Sequence, residues 1–369
     1  MDLYDLLALK QRKDIVESLF DHTLVHGEEN VMPTHQYVGA VNIPLLNIEL
    51  VEKLIDNGKL DVNSRYDDRR NLLDSYQKKC TLLSYAVMWG NVPLIELLVR
   101  KNADVNLGSL LGNGNNPLVF AVLLDEYTEN WSLDLREQIV RALHAAGNLN
   151  FDVHSNRCSH VLLHIAWNFG CEMLDVVLSL GADINTNIAS YQEYTSFGDK
   201  HLSFGVTDYN LFMYMIFMDD DDMAEELVER GADTEKTAKF FIQDECEALT
   251  MLHFAVKYSD AENASRLLYF GVDVNAQDEC GFTCLWLAAH ENMYGKISLL
   301  IKHGANENIR CKPEYGSSTP LEAAGGHVIR QCIFEAIRDR RLLHMLALAR
   351  QNTKLPDDIM KKILQENEL

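Results

Sequence analysis

Apolar residues in this chain fall into short blocks whose spacing is helical. In Thr81-Leu82-Leu83-Ser84-Tyr85-Ala86, Val161-Leu162-Leu163-His164-Ile165-Ala166, Thr250-Met251-Leu252-His253-Phe254-Ala255 and Thr283-Cys284-Leu285-Trp286-Leu287-Ala288, the third and sixth places hold Leu and Ala. Those places share one face of a helix, and the small Ala lets a neighbouring helix come close. Asn116-Pro117-Leu118-Val119-Phe120-Ala121 and Thr319-Pro320-Leu321-Glu322-Ala323-Ala324 follow the same pattern. Their Thr or Asn suits an N-cap, and Pro suits the first turn, where a missing N–H costs nothing. Further on, the pairs Leu97-Leu98, Leu267-Leu268 and Leu299-Leu300 mark a second amphipathic helix. A polar phrase then closes it: Asn102-Ala103-Asp104-Val105-Asn106, Gly181-Ala182-Asp183-Ile184-Asn185, Gly231-Ala232-Asp233-Thr234-Glu235, Gly271-Val272-Asp273-Val274-Asn275 and Gly304-Ala305-Asn306-Glu307-Asn308. Gly in the first place of that phrase stops a helix without the cost of a Cβ. The predicted order is helix, turn, helix, turn, repeated.

The repetition has a fixed length. Thr81–Asn106, Thr250–Asn275 and Thr283–Asn308 each span 26 residues. With the lead-in Asp278-Glu279-Cys280-Gly281-Phe282, the interval from Asn275 to Asn308 is 33. Head, tail and period together resemble the ankyrin repeat, whose signature is Thr-Pro-Leu-His-x-Ala and Gly-Ala-Asp-Val-Asn. The resemblance implies an all-α fold with short β-hairpin turns, an ankyrin-repeat α-solenoid of about eight repeats over residues 34–335. A degenerate first unit ends at Asp61-Val62-Asn63, and a divergent one runs from Asn210 to Glu235. Solenoids need polar lids at both ends; the amphipathic pattern of residues 2–20, within an N-terminal cap at 1–33, and Leu342–Leu364, within a C-terminal cap at 336–369, fit that need. The structural role expected of Asn106, Asn185 and Asn275 is to tie the turns through backbone hydrogen bonds.

Spacing also reveals insertions. The Asn of one tail normally precedes the next head by eight residues, but Asn63 precedes Thr81 by 18 and Asn185 precedes Asn210 by 25. Enlarged loops are therefore expected near 64–80 and 186–209, and a third, inside a repeat, near 125–134, where Trp131 is expected to pack the extra turn. The longest carries Tyr191, Tyr194, Phe197, Phe204 and Tyr209. Such an aromatic load fits either interface anchors or a loop folded over its own rings.

Composition narrows the partner. With 55 acidic and 33 basic residues the net charge is −22, which repels phosphate backbones and anionic membrane surfaces and favours a protein partner with a basic patch. No run of 18 apolar residues occurs, and Asp2-Leu3-Tyr4-Asp5 is acidic where an export signal would be basic, so neither a membrane span nor an export peptide is expected. The cysteines (Cys80, Cys158, Cys171, Cys246, Cys280, Cys284, Cys311, Cys332) are scattered, with no Cys-x-x-Cys, and read as reduced thiols of a cytoplasmic protein.

Chemistry-bearing motifs are weak. Cys158, His160 and His164 offer three metal-type ligands without a fourth, or a thiol and a base without an oxyanion hole, and His164 and His253 occupy the family's structural histidine place. Asp219-Asp220-Asp221-Asp222 lacks the alternating spacing of a calcium loop and reads as a solvated turn before a helix. No phosphate-cradling or dinucleotide glycine motif is present. Catalytic residues, a metal and a cofactor are accordingly not expected.

The resemblance implies a non-enzymatic protein–protein interaction scaffold, monomeric, with its partner on the concave face. The eighth place after the head Thr falls there, and it holds Trp89, Phe169, Met218 and Tyr258, with Met88, Asn168, Lys257, His290 and Glu291 as rim; Tyr191, Tyr194 and Phe197 are the loop candidates. The irregular repeats, long loops and acidic surface look like ankyrin-type effectors that intracellular bacteria or viruses place in a host cytosol. Leu355-Pro356-Asp357-Asp358-Ile359-Met360-Lys361-Lys362-Ile363-Leu364 is similar to the opening helix of an F-box, which gives a ligase-adaptor alternative, and an enzyme within the inserted loops is a second alternative.

Overall fold

The computed structural model describes residues 48–66, 80–108, 116–122, 131–155, 158–188, 192–194, 204–242 and 245–353. The expected N-terminal cap, Tyr191, Phe197 and the F-box-like segment Leu355–Leu364 lie outside them. The chain forms two compact units, Met1–Ala189 and Ser190–Leu369.

In the first unit, α1 (Ile48–Asp56) is followed by the short antiparallel pair β1 (Arg65–Tyr66) and β2 (Cys80–Thr81). The hairpin pairs α2 (Leu82–Met88) with α3 (Val92–Arg100), and α4 (Pro117–Val122) with α5 (Leu133–His144), come next. The pair β3 (His154–Ser155) and β4 (Cys158–His160) then leads into α6 (Val161–Ser179). By length and composition α6 alone among the described helices could cross a membrane, yet Gly170, at φ 62° and ψ −155°, breaks it into two helices. α2 packs on α4 and α4 on α6, while α3 packs on α5, so like helices stack on like. Leu83, Ala86, Leu97, Leu98, Leu118, Ala121 and Ile139 are buried between them.

The second unit holds α7 (Leu211–Phe217), α8 (Asp221–Glu229), α9 (Met251–Tyr258), α10 (Ala261–Tyr269), α11 (Cys284–His290), α12 (Tyr294–Lys302), a 3-10 turn at Pro313–Tyr315, α13 (Pro320–Ala323) and the long α14 (His327–Thr353). α9 packs on α11 and α11 on α13; α10 packs on α12 and α12 on α14. Helix α14 runs unbroken through residue 336, where a separate cap was expected to begin.

Local chemistry starts these helices as the heads suggest. Thr81, Thr250, Thr283 and Thr319 each accept a backbone N–H through the side chain, and Asn116 and Asn210 do the same in their own units. Val161 cannot cap, so His160, one residue earlier and longer, accepts the Leu162 N–H through Nδ1 at 3.1 Å. At the other end of the hairpin Gly304 takes φ 95°, while Asn102 holds the equivalent place at φ 62°, a conformation Asn tolerates better than most residues.

The tails form a ladder. The Asn63 Oδ1 accepts the Asp104 N–H at 2.8 Å, Asn106 that of Asn150 at 2.9 Å, and Asn275 that of Asn306 at 2.7 Å. These three Asn each tie their turn to the next, which is the expected role for Asn106 and Asn275. Glu235 stands in that place in the divergent unit, and its Oε1 accepts the Asp273 N–H at 2.7 Å.

One expectation needs correction. The fold is mostly helical, but the second unit contains a four-stranded antiparallel sheet, larger than short hairpin turns. Its order is β5 (Gln192–Tyr194), β6 (Phe204–Thr207), β7 (Ala238–Ile242), β8 (Glu245–Leu249). Two enlarged hairpins build it: the 186–209 insertion supplies β5 and β6, and a second, between Glu235 and Thr250, supplies β7 and β8. Along β7, Ala238, Phe240 and Ile242 are buried while Lys239 and Phe241 face out, the period-2 alternation of a sheet with one covered face. The buried face gathers rings: Phe240 stacks on Phe254 at 4.3 Å, and Tyr194 lies 5.3 Å from Phe204 and 4.7 Å from Phe217.

Candidate functional site

The inner helix of each pair ends at the eighth place after its head, and packing sorts these places into covered and open. In the first unit, Trp89 is half-buried and stacks on Tyr85 at 5.7 Å. Phe169 is also half-buried: the guanidinium of the fully buried Arg136 lies 4.7 Å above its ring. The same guanidinium lies 5.5 Å from Trp131 and donates to the Ala121 carbonyl at 2.6 Å. A Cβ at Gly90 would lie 3.4 Å from the Trp131 ring, so Trp131 packs against the α2–α3 turn of the neighbouring repeat. Met88 is buried, because the last turn of α2 still faces the neighbouring helices, and it offers no rim. Asn168 is exposed. Trp167, absent from the expected surface, is 59% exposed.

In the second unit the equivalent places are more open. Met218, the C-cap of α7, is 43% exposed. Tyr258 is half-buried, 5.6 Å from Phe254, with the Lys257 ammonium 5.2 Å over its ring and held to Glu247 at 2.5 Å. His290 and Glu291 are exposed and joined by a 3.1 Å contact from Nδ1 to Oε1. Behind them, rings four residues apart form a column along α11: Phe282 stacks on Trp286 at 3.9 Å, and Trp286 on His290 at 5.0 Å. The Trp286 Nε1–H donates to Ser318 Oγ at 3.0 Å, which fixes the indole.

Among the described residues, the loop aromatics Tyr194, Phe204 and Tyr209 fit a loop folded over its own rings. Tyr194 turns inward over the sheet, where burial pushes its phenol well up from the usual range, and Phe204 and Tyr209 are buried. These rings hold the insertion to its own repeat through Phe217 and to the next through Phe254, 4.8 Å from Phe204.

The histidine motif also resolves into structure. His253 is buried; its Nδ1 takes the Thr250 hydroxyl at 2.7 Å and its Nε2–H meets the Phe282 carbonyl at 2.9 Å, so it links its head to the next lead-in. Burial lowers its pKa, which keeps the neutral ring these two bonds need. Near His160, the ligand atoms of Asp152, His154 and His160 lie within 4.8 Å of one another, a spacing an ion would accept. The Leu162 N–H, however, points at His160 Nδ1, so that nitrogen carries the lone pair and the proton sits on Nε2, the atom 3.2 Å from Asp152 Oδ1. A metal at Nε2 would need the opposite tautomer, at the expense of the helix cap. Burial first, then the neighbouring His154, pushes the His160 pKa down to about 4, in keeping with a neutral capping ring. The Cys158 side chain lies outside the described residues. His164 is half-buried, and burial lowers its pKa too.

The four-aspartate turn has defined jobs. Asp220 caps α8 through the Met223 N–H at 3.1 Å, and Asp219 and Asp221 both bind Arg266 of α10, the former at 2.6 Å. It is an exposed turn, as expected, and it braces adjacent repeats.

Comparison with known families agrees with this geometry. A family described as ankyrin repeats, in three copies, matches residues 211–311, and a single ankyrin repeat matches 78–107. The chain therefore contains ankyrin repeats, modules that bind proteins and in general carry no enzymatic activity. Among solved structures, the ankyrin repeat domain of Bcl-3, a member of the IkappaB protein family, is similar over 78% of this chain and 93% of its own, with 18% identity and a TM-score of 0.29. No curated protein matches in sequence.

Proposed function

We propose that the chain is a non-enzymatic scaffold, a solenoid of about eight ankyrin repeats that binds a protein partner on its concave face and works in a cytosol, as an effector inside a host cell. The observation that carries the binding surface is the exposure of Met218, half-exposure of Tyr258 and exposure of His290 at the ends of inner helices that are otherwise mostly buried. Large apolar and aromatic groups left open at repeated positions of a groove are what an interface hot spot uses. In the first unit Trp89, half-buried, holds the corresponding place, Phe169 is withdrawn by Arg136, and Trp167, two places before Phe169, is the exposed ring. The test is affinity capture from cytosol with the full chain and with the double variant Met218→Ala, Tyr258→Ala. Captured protein should fall by at least about tenfold, with helicity and melting temperature nearly unchanged. Equal capture by both proteins would sink the assignment of this face.

A further inference from the structure

Turns that follow the open inner-helix ends of the second unit share a chemistry. Met218 is followed by Asp219 to Asp222, Tyr258 by Ser259, Asp260 and Glu262, and His290 by Glu291. Asp222, Glu262 and Glu291 are exposed. The basic side chains near them are already engaged: Arg266 by Asp219 and Asp221, Lys257 by Glu247 and by one face of the Tyr258 ring, and Lys296 by the carbonyls of Val256 and Ser259. Each of these helix ends is therefore followed, within four residues of the chain, by an exposed carboxylate. In the first unit Gly90-Asn91-Val92-Pro93 carries no acid, whereas Gly170-Cys171 is followed by the exposed Glu172.

We propose that this edge of the second unit binds a basic protein segment through its arginines. A guanidinium matches both halves of the motif, because its plane stacks on a ring while its N–H fork meets a carboxylate; an ammonium satisfies only the charge. The His290 ring, backed by Trp286 and Phe282 and held by Glu291, is a flat platform with its carboxylate already in place. The net charge of −22 adds long-range attraction for a cationic segment and repels nucleic acid.

This inference rests on the binding face proposed above, and its test separates the two. Full-length protein is titrated into fluorescent short peptides that alternate arginine, lysine or glutamate with alanine. The arginine peptide should bind most tightly, the lysine peptide at least about threefold more weakly, and the glutamate peptide not at all. Asp222→Asn, Glu262→Gln and Glu291→Gln together should weaken arginine-peptide binding by at least about tenfold, and Tyr258→Ala separately should weaken it several-fold. Glu225→Gln with Glu229→Gln, on the outer face of α8, should change it by less than about twofold. Unchanged binding in the turn variants, equal losses in the α8 control, or no binding of the arginine peptide would each overturn the proposal. If Met218→Ala, Tyr258→Ala abolished partner capture while the turn variants did not, the face would stand and its cationic chemistry would fall.

Discussion

Single residues at the repeat junctions set the pH response of the second unit. Glu235 occupies the ladder place that Asn fills elsewhere, and its carboxylate accepts the Asp273 N–H while Thr234 donates to the same oxygen at 3.0 Å. Burial nevertheless raises its pKa, with hydrogen bonds offsetting only part and the neighbouring Asp273 and Asp233 adding to the rise. For an acid with a raised folded pKa, stability is fully present below the unfolded value, about 4.3, and is lost as pH rises through the folded value. Glu235→Gln keeps an acceptor without the charge. Its melting temperature should therefore exceed that of the parent at pH 7 and approach it at pH 4, measured by scanning calorimetry. A variant less stable than the parent at pH 7 would show that the ionised carboxylate is favoured at this junction. His253 works in the opposite sense: its lowered pKa makes stability complete above about 6.5 and lost as pH falls below it.

At the scale of helices and strands, burial decides which substitutions matter. Leu285 of α11 and Leu252 of α9 are fully buried where these helices meet their neighbours. Replacing either with Ala should cost about 2 to 5 kcal/mol, because the cavity forms between packed elements that cannot close over it. Denaturant unfolding followed by circular dichroism measures this, and a cost below about 1 kcal/mol would mean these helices do not form the core described. The heads and tails were legible in the sequence because caps, turns and the Leu and Ala faces are local. The sheet was not. Glu235 and Thr250 are 15 residues apart rather than eight, yet the alternation of Ala238, Phe240 and Ile242 is short and sits beside a divergent repeat that absorbed the irregularity. Long-range pairing hid the rest. Nothing local announces that Arg136 covers Phe169, that Tyr194 turns inward, or that Trp167 is exposed at a place where Val87 and Val256 are buried.

For the whole molecule, charge links stability to recognition. The chain carries −22 net, and described ion pairs such as Arg310 with Glu322 are exposed on both sides and contribute little. With 55 acidic against 33 basic residues, self-repulsion of the acidic excess is expected to outweigh surface pairing in the salt response of folding, since added salt screens that excess more than it weakens exposed bridges. Association with a cationic segment responds in the opposite direction, because the same screening removes its long-range attraction. Raising ionic strength from about 10 mM to about 150 mM, where the Debye length shortens from about 30 Å to about 8 Å, should raise the melting temperature while weakening arginine-peptide binding. Calorimetry and fluorescence anisotropy on one sample series read both. A melting temperature that falls with salt would place net stabilisation in the ion pairs, and a binding constant indifferent to salt would remove charge from recognition and leave the exposed rings as its source.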